Sequence, residues 1–205
     1  MVKNFLVLYL TRLFEWEKEH QAINSVCLNL ACGDDIREGW ISCDIDTKGD
    51  SRILRLDLRD EDAIERLGKT KFHVIEMNHG LQYLNFIQAV RVLEQCFNSL
   101  SVGGELCLEL PDPELIAKNF LDNINETEAR KYVENIRAFY AFDLEDAYDV
   151  SFRGSTYQFT WSRSFIRETL LKIGFSKIEF RFPTTHGCRL ERDYRICAKK
   201  ERASC

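Results

Sequence analysis

The sequence predicts an α/β fold, a doubly wound and mostly parallel sheet that closes with an antiparallel final strand. Short apolar runs of β type alternate with segments of helical period, as in a parallel sheet with covered faces. Near the carboxyl end the alternation gives way to two runs, Phe175–Phe182 and Tyr194–Lys199, whose connection reads as a hairpin.

In chain order, residues 3–20 carry a first helical pattern, part of an N-terminal helix over 1–24. Its apolar run Phe5–Leu10 is too short to span a bilayer, and Glu15, Glu17 and Glu19 follow where a signal peptide would carry small residues. Val26–Leu30 reads as the first strand, Trp40–Asp44 as the second and Arg52–Leu56 as the third. A helix is expected after Asp57, with Asp60 as its N-cap. His73–Met77 reads as the fourth strand, on which His73 is expected to be a satisfied core or edge histidine. The helix over 85–100 shows Val90, Leu93, Phe97 and Leu100 at helical spacing. Gly103-Gly104 is expected to end that unit before a fifth strand, Glu105–Leu110, closed by Pro111. The long stretch 112–160 carries helical patterns at Pro113–Leu121 and Glu126–Phe142, then an acidic and aromatic part without a period. A last helix over Ser162–Ile173 is stopped by Gly174, and Trp161 and Phe165 are expected to pack it.

The 205 residues suit one domain, 1–205, with an ordinary globular composition of 45% hydrophobic and 30% charged residues. A net charge of −5 argues against a phosphate-dominated grip on nucleic acid, and Arg181, Arg189, Arg192 and Arg195 read as solvated charges. No membrane partner is expected. The eight cysteines contain no CxxC pair, so zinc-site spacing is absent and no metal is expected; they read as reduced thiols of a cytoplasmic protein.

The candidate site is a run of strand ends. In open α/β sheets ligands settle at the carboxyl ends of the strands. After the first strand, Asn29-Leu30-Ala31-Cys32-Gly33 keeps its side chains small, so backbone amides can face a ligand. Asp44, ending the second strand, can accept from the two hydroxyls of a ribose, and Asp57, after the third, from an adenine amino group. A nicotinamide dinucleotide would need further glycines and a helix N-terminus at its pyrophosphate. Here the turn continues Gly33-Asp34-Asp35-Ile36-Arg37-Glu38-Gly39, whose acids repel phosphates but tolerate a sulfonium ligand.

Leu28–Gly33 followed by Gly39–Asp46 resembles the first two motifs of class I S-adenosylmethionine (SAM)-dependent methyltransferases, in particular the small type-11-like enzymes often linked to sugar or polysaccharide biosynthesis. The resemblance continues through Phe72–Leu84, Val92-Leu93, Gly103-Gly104, Leu110-Pro-Asp112 and Gly174-Phe175, spanning roughly residues 26–199. It implies a Rossmann-like fold and SAM as cofactor. Asn29, Ala31, Cys32 and Gly33 would then form the turn beside the methionine part, Asp44 with Ile45 would hold the ribose, and Asp57 with Leu58 would frame the adenine. Asn78 and His79 match the segment beside the methionine moiety and acceptor pocket. Four departures stand out. Asn29 replaces an acid, and Ala31 replaces a glycine, tolerable where the backbone angle is ordinary. His73 replaces the usual aspartate of the fourth strand, and Leu81-Gln-Tyr-Leu84 replaces a Leu-Glu-His-Leu run. Nine residues, 31–39, join the first two strands, so an irregular loop is expected there in place of a helix.

The function expected is methyl transfer from SAM to a small-molecule acceptor. Such a displacement needs mainly positioning, and a hydroxyl acceptor adds the need for a base, for which His79, Glu109 and Asp112 are candidates. Residues 112–160, with Phe139, Tyr140, Phe142, Tyr148, Phe152 and Tyr157, read as an acceptor-side lid, and Trp161 is a second candidate wall. His186 reads as a solvated loop histidine. Rival readings are a SAM-fold binding or scaffold protein without catalysis, and an NAD-dependent oxidoreductase, which the missing glycines disfavour.

Overall fold

A computed structural model describes residues 26–69, 71–125, 127, 139, 156–184 and 192–201. The expected N-terminal helix, His186 and nearly all of the Glu126–Phe142 pattern lie outside the described residues.

Among these residues seven strands form one sheet: β1 (Val26–Leu30), β2 (Trp40–Asp44), β3 (Ile53–Arg55), β4 (Phe72–Asn78), β5 (Leu100–Pro111), β6 (Ser176–Arg181) and β7 (Asp193–Lys199). Their spatial order is β3-β2-β1-β4-β5-β7-β6. The first five strands pair in parallel, and β7 runs antiparallel to both β5 and β6. This is the predicted α/β sheet, mostly parallel with an antiparallel final strand. The chain reverses its direction of travel across the sheet between β1 and β4, which opens a crevice at their carboxyl ends.

Alternation along the strands sorts the sheet's two faces. Leu28, Leu30, Ile75, Met77, Leu106, Leu108 and Ile196 are wholly buried in the apolar core. Helix α1 (Phe86–Ser99) contributes Ala89, Val92, Leu93 and Cys96 to that core, and helix α3 (Arg163–Ile173) contributes Ile166 and Leu170. The intervening positions Asn29, Glu76, Glu109 and Arg195 place a buried polar layer on the other face.

Local chemistry fixes the helix ends. Asn85 starts α1 with a capping box: its side chain accepts from the Gln88 N–H, and the Gln88 side chain accepts from the Asn85 N–H. Asp112 caps the helix α2 (Pro113–Asp122), and Ser162 caps α3. Gly174, at φ 118°, ends α3 as expected.

Several expectations need correction. No α-helix follows Asp57; turns lead into a single 3-10 turn at Glu65–Leu67. The carboxylate of Asp60 accepts from Arg66 and caps nothing, while Gln95 of α1 binds both the Ile64 N–H (2.8 Å) and the Glu61 carbonyl (2.7 Å). A tertiary side chain therefore satisfies backbone groups that a helix would have paired. Gly103-Gly104 does not end a unit either. The strand β5 runs through it, and Gly103, at φ 87°, bends the chain while its N–H donates to the Lys200 carbonyl (2.6 Å). His73 is exposed, with Nδ1 2.7 Å from Ser101 Oγ. Finally, the reading of all eight cysteines as thiols is overturned. Cys107 and Cys197 face each other in the β5–β7 register and are disulfide-bonded. Cys27, Cys32, Cys43 and Cys96 are free thiols, and Cys188 and Cys205 lie outside the described residues.

Candidate functional site

A cavity of about 760 Å³ opens at the carboxyl ends of β1 to β4. That lies within the usual size of small-molecule sites, roughly 300–1,000 Å³. Ala31, Asp44, Ile45, Asp57, Leu58 and His79, six of the ten expected site residues, line it. Asn29, Cys32, Gly33 and Asn78 are not among its lining residues.

The turn after β1 is irregular, as its nine residues require, and its shape is held by polar contacts. Asn29 Nδ2 donates to the Asp35 carbonyl (2.8 Å), and the Cys32 N–H donates to the Cys43 carbonyl of β2 (3.0 Å). Gly33, at φ 54°, donates its N–H to Asp44 Oδ2 (2.9 Å), while the Asp46 N–H donates to Oδ1 (3.0 Å). Two backbone donors thus aim the Asp44 carboxylate and leave lone pairs on each oxygen. Burial, reinforced by the Asp44 charge, pushes the Cys32 thiol up to about 11, so it is no nucleophile at neutral pH.

The tolerance expected of Ala31 rested on an ordinary backbone angle, and its φ is +51°. A glycine position is therefore occupied by alanine in the left-handed region, at a cost of roughly 1–2 kcal/mol. Its neighbour Gly80 is tightly constrained in turn: a Cβ there would come within 2.7 Å of Ala31 Cβ and 2.8 Å of Met77 Cγ. Ala31 and Gly80 both line the cavity.

Asp57, also at the cavity, accepts from Arg59 Nε (2.9 Å) and Nη2 (2.7 Å), which holds its carboxyl below the ordinary range. Cys43, Leu56, Leu58 and Leu84 add apolar lining. His79 follows β4 with φ +55°, its N–H donating to the Glu109 carbonyl (2.9 Å). Its Nε2 is enclosed and lies 3.6 Å from Asp193 Oδ2. Burial pushes the imidazole below its usual value; Asp193 opposes this and Arg192 adds to it.

The other two base candidates are occupied. Glu109 is fully enclosed, and its Oε1 accepts from the Thr184 N–H (2.7 Å) and from Arg195 Nη1 (2.9 Å). Asp112 accepts from the Glu114 N–H (3.0 Å) and from Arg163 Nε (2.7 Å). Trp161 is buried beside Phe159 and the half-exposed Phe165, and does not line the cavity. Of the expected lid, Gln158 reaches the cavity, its N–H tied to the Gln82 carbonyl (2.8 Å). Tyr157 packs edge-on against Tyr83 of the cavity wall, with ring centroids 5.3 Å apart.

An ion-pair chain with no local signal in the sequence joins the turn to the strands. Arg37 binds Asp35 (2.5 Å) and Glu76 (2.7 Å) and sits over the Trp40 ring. Arg195 binds Glu76 and Glu109. Burial would raise the Glu76 carboxyl, but Arg37 and Arg195 outweigh it and bring the carboxyl below its ordinary value. This chain ties the turn after β1 to β4, β5 and β7 without a helix between β1 and β2. The cluster with metal-ligand geometry among the described residues is Glu105, Cys107 and Cys197, whose two sulfurs are bonded to each other.

No protein-family model matches the sequence, and no curated protein matches it. Solved structures share its fold. A SAM-dependent methyltransferase from Archaeoglobus fulgidus superimposes with a TM-score of 0.55 at 14% identity, over 94% of this chain and 93% of that one. One from Thermotoga maritima, described as a possible histamine N-methyltransferase, gives 0.51 at 14%, over 94% and 89%. The carbon methyltransferase CurJ gives 0.54 at 16%, over 90% of this chain and 51% of that one. The chain has the Rossmann-like fold of SAM-dependent methyltransferases.

Proposed function

We propose that this chain is a SAM-dependent methyltransferase acting on a small-molecule acceptor, with a sugar or polysaccharide precursor as the acceptor class its sequence resemblance suggests. The observation that carries the reading is the cavity at the carboxyl ends of β1 to β4, where Asp44, Asp57, Ala31 and Gly80 converge. SAM fits this donor set. Asp44 offers its remaining lone pairs to two ribose hydroxyls, and Asp57 beside Leu58 suits an adenine amino group and ring. Ala31 and Gly80, packed too closely for one more methyl group, line the same cavity and suit the methionine part. When bound, SAM supplies an electrophilic methyl group on a sulfonium. The residues around it hold donor and acceptor in line, and alignment contributes much of the acceleration in such displacements.

An NAD reading fares worse, because residues 31–39 include no helix whose N-terminus could receive a pyrophosphate. The same proposal takes the acceptor to be neither nucleic acid nor a membrane component. Among the described residues no helix is long and apolar enough to cross a membrane. It also assigns the protein to the cytoplasm, a reducing compartment that works against the Cys107–Cys197 disulfide.

Calorimetry with SAM, S-adenosylhomocysteine and NAD tests the reading on wild type and Asp44→Ala. Wild type is expected to bind the first two and not NAD. Asp44→Ala is expected to lose about 1.5–3 kcal/mol of binding, the scale of hydrogen bonds to a charged group. A folded wild type that ignores SAM sinks the proposal.

A further inference from the structure

We propose that His79 and Asp193 form an imidazole–carboxylate pair that takes the proton of a hydroxyl acceptor, so that the chain methylates oxygen; this rests on the methyltransferase reading above.

Topology brings the pair together. His79 follows β4 and lines the cavity. Asp193 opens β7, and because β7 is antiparallel its first residue pairs with Pro111 at the carboxyl end of β5. An antiparallel last strand thus delivers a carboxylate to the edge where the parallel strands end. The Asp193 side chain is fully enclosed and gripped by Arg192, through Nε to Oδ1 (2.6 Å) and Nη2 to Oδ2 (2.8 Å). His79 is pinned as firmly. Its N–H donates to the Glu109 carbonyl, its own carbonyl accepts from Gln82 Nε2 (2.9 Å), and these contacts hold it at a positive φ. A histidine kept in that region by its surroundings is an outlier of the kind found at functional sites.

The charges around the ring suit a base. A lone buried carboxylate would keep an imidazole protonated. Here Arg192 offsets Asp193, the Glu109 carboxylate, which favours the protonated ring, is engaged by Arg195 and Thr184, and Tyr83 and Tyr157 stand near Arg192. Burial then keeps His79 neutral near pH 7, as proton abstraction requires. Asp193 Oδ2 lies 3.6 Å from Nε2, within ion-pair reach of an imidazolium, so in this proposal Nε2 keeps its proton toward Asp193 and Nδ1 is the nitrogen that takes one.

A neutral amine needs no base to attack a methyl group, whereas a hydroxyl does, so the pair points to oxygen. In the step, the acceptor oxygen bonds to the methyl carbon as the carbon–sulfur bond breaks, with that electron pair staying on sulfur. The hydroxyl proton passes to Nδ1, and the imidazolium keeps its Nε2–H toward Asp193 until it returns the proton to solvent. His79 is the catalytic residue and Asp193 the positioning residue.

The test uses the full chain as wild type, His79→Gln and Asp193→Asn. Nitrogen-15 NMR of the imidazoles without ligand should show wild-type His79 as the Nε2–H tautomer at pH 7.5 (roughly one unit above the ordinary histidine value), and a mixed or reversed tautomer in Asp193→Asn. With labelled SAM, wild type should methylate a hydroxyl probe, catechol or methyl glucoside, in preference to aniline, an amine that is neutral at this pH. His79→Gln should lose about 10²–10⁴-fold in kcat, the usual worth of a general base, along with the acidic limb of the pH profile. Asp193→Asn should lower kcat while SAM affinity by calorimetry stays at the wild-type value. An Nδ1–H tautomer in wild type overturns the pair, and this arm stands even if Asp193→Asn does not fold. Wild-type protein that binds SAM but methylates only the amine, or no probe at all, overturns the acceptor assignment. Absence of SAM binding is a separate failure, of the methyltransferase reading itself, and overturns the acceptor assignment with it.

Discussion

Single residues at this site carry opposed demands. Ala31 shows this best, since its Cβ closes the wall against Gly80 while its φ of +51° costs energy. Ala31→Gly removes the left-handed penalty of roughly 1–2 kcal/mol but adds unfolded-state freedom worth about 0.4–1 kcal/mol. The expected net effect is a gain of about 0.5–1 kcal/mol, read from urea unfolding; a loss of stability would mean that the methyl contact matters more than the backbone angle. Asp44 was legible in the sequence because a strand-end acid has few neighbours to choose from. His79 was legible only as a candidate, because the carboxylate beside it comes from a strand more than a hundred residues away.

Elements are terminated by rules that a sequence displays well when the partners are local. The Asn85–Gln88 box and the Ser162 and Gly174 ends of α3 all use neighbours within a few residues, and both helices start, and α3 stops, where the sequence put them. Gly174→Ala should cost about 1–2 kcal/mol. Its φ is 118°, and a Cβ would stand 3.1 Å from the Phe97 ring. Thermal or urea unfolding that leaves the midpoint unchanged would contradict this. The helix expected after Asp57 fails for the converse reason: its backbone groups are satisfied by Gln95, from an element some thirty residues on. The lid proposal for 112–160 belongs at this scale too. Replacing its central part should change acceptor choice and spare SAM affinity; collapse of SAM binding would show it to be core.

At the scale of the whole molecule, the buried chain Arg37–Glu76–Arg195–Glu109 joins turn, central strands and final hairpin. Arg195→Met leaves two enclosed carboxylates without their shared cation, and should cost about 3–5 kcal/mol in urea unfolding. The pH dependence follows from Glu76. Its folded-state value lies below the ordinary one, so the stability it contributes is fully present above about pH 4.3 and is lost as pH falls through the depressed value. In Arg195→Met, burial is less opposed, so the loss should begin at higher pH; identical acid-unfolding curves for the two proteins would refute the ion-pair account. The Cys107–Cys197 bond spans a separation of 90 residues. Reduction should therefore lower stability by about 2–4 kcal/mol, measured as unfolding midpoints with and without dithiothreitol.

By itself the sequence determined the α/β alternation, the antiparallel last strand, the stop of α3 at Gly174 and the small-residue turn with its two acids. All of these rest on periodicity or on neighbours close along the chain. Only the tertiary structure decided that Ala31 is left-handed, that Glu109 and Asp112 are bound in ion pairs, that two cysteines meet, and that Asp193 stands beside His79. Each of those depends on strands that are adjacent in space but distant in sequence, with no local signal to mark their pairing. The turn at Asn29–Gly33 thus marked the edge where a ligand would sit, and the register of β7 against β5 supplied the carboxylate beside His79 at that edge.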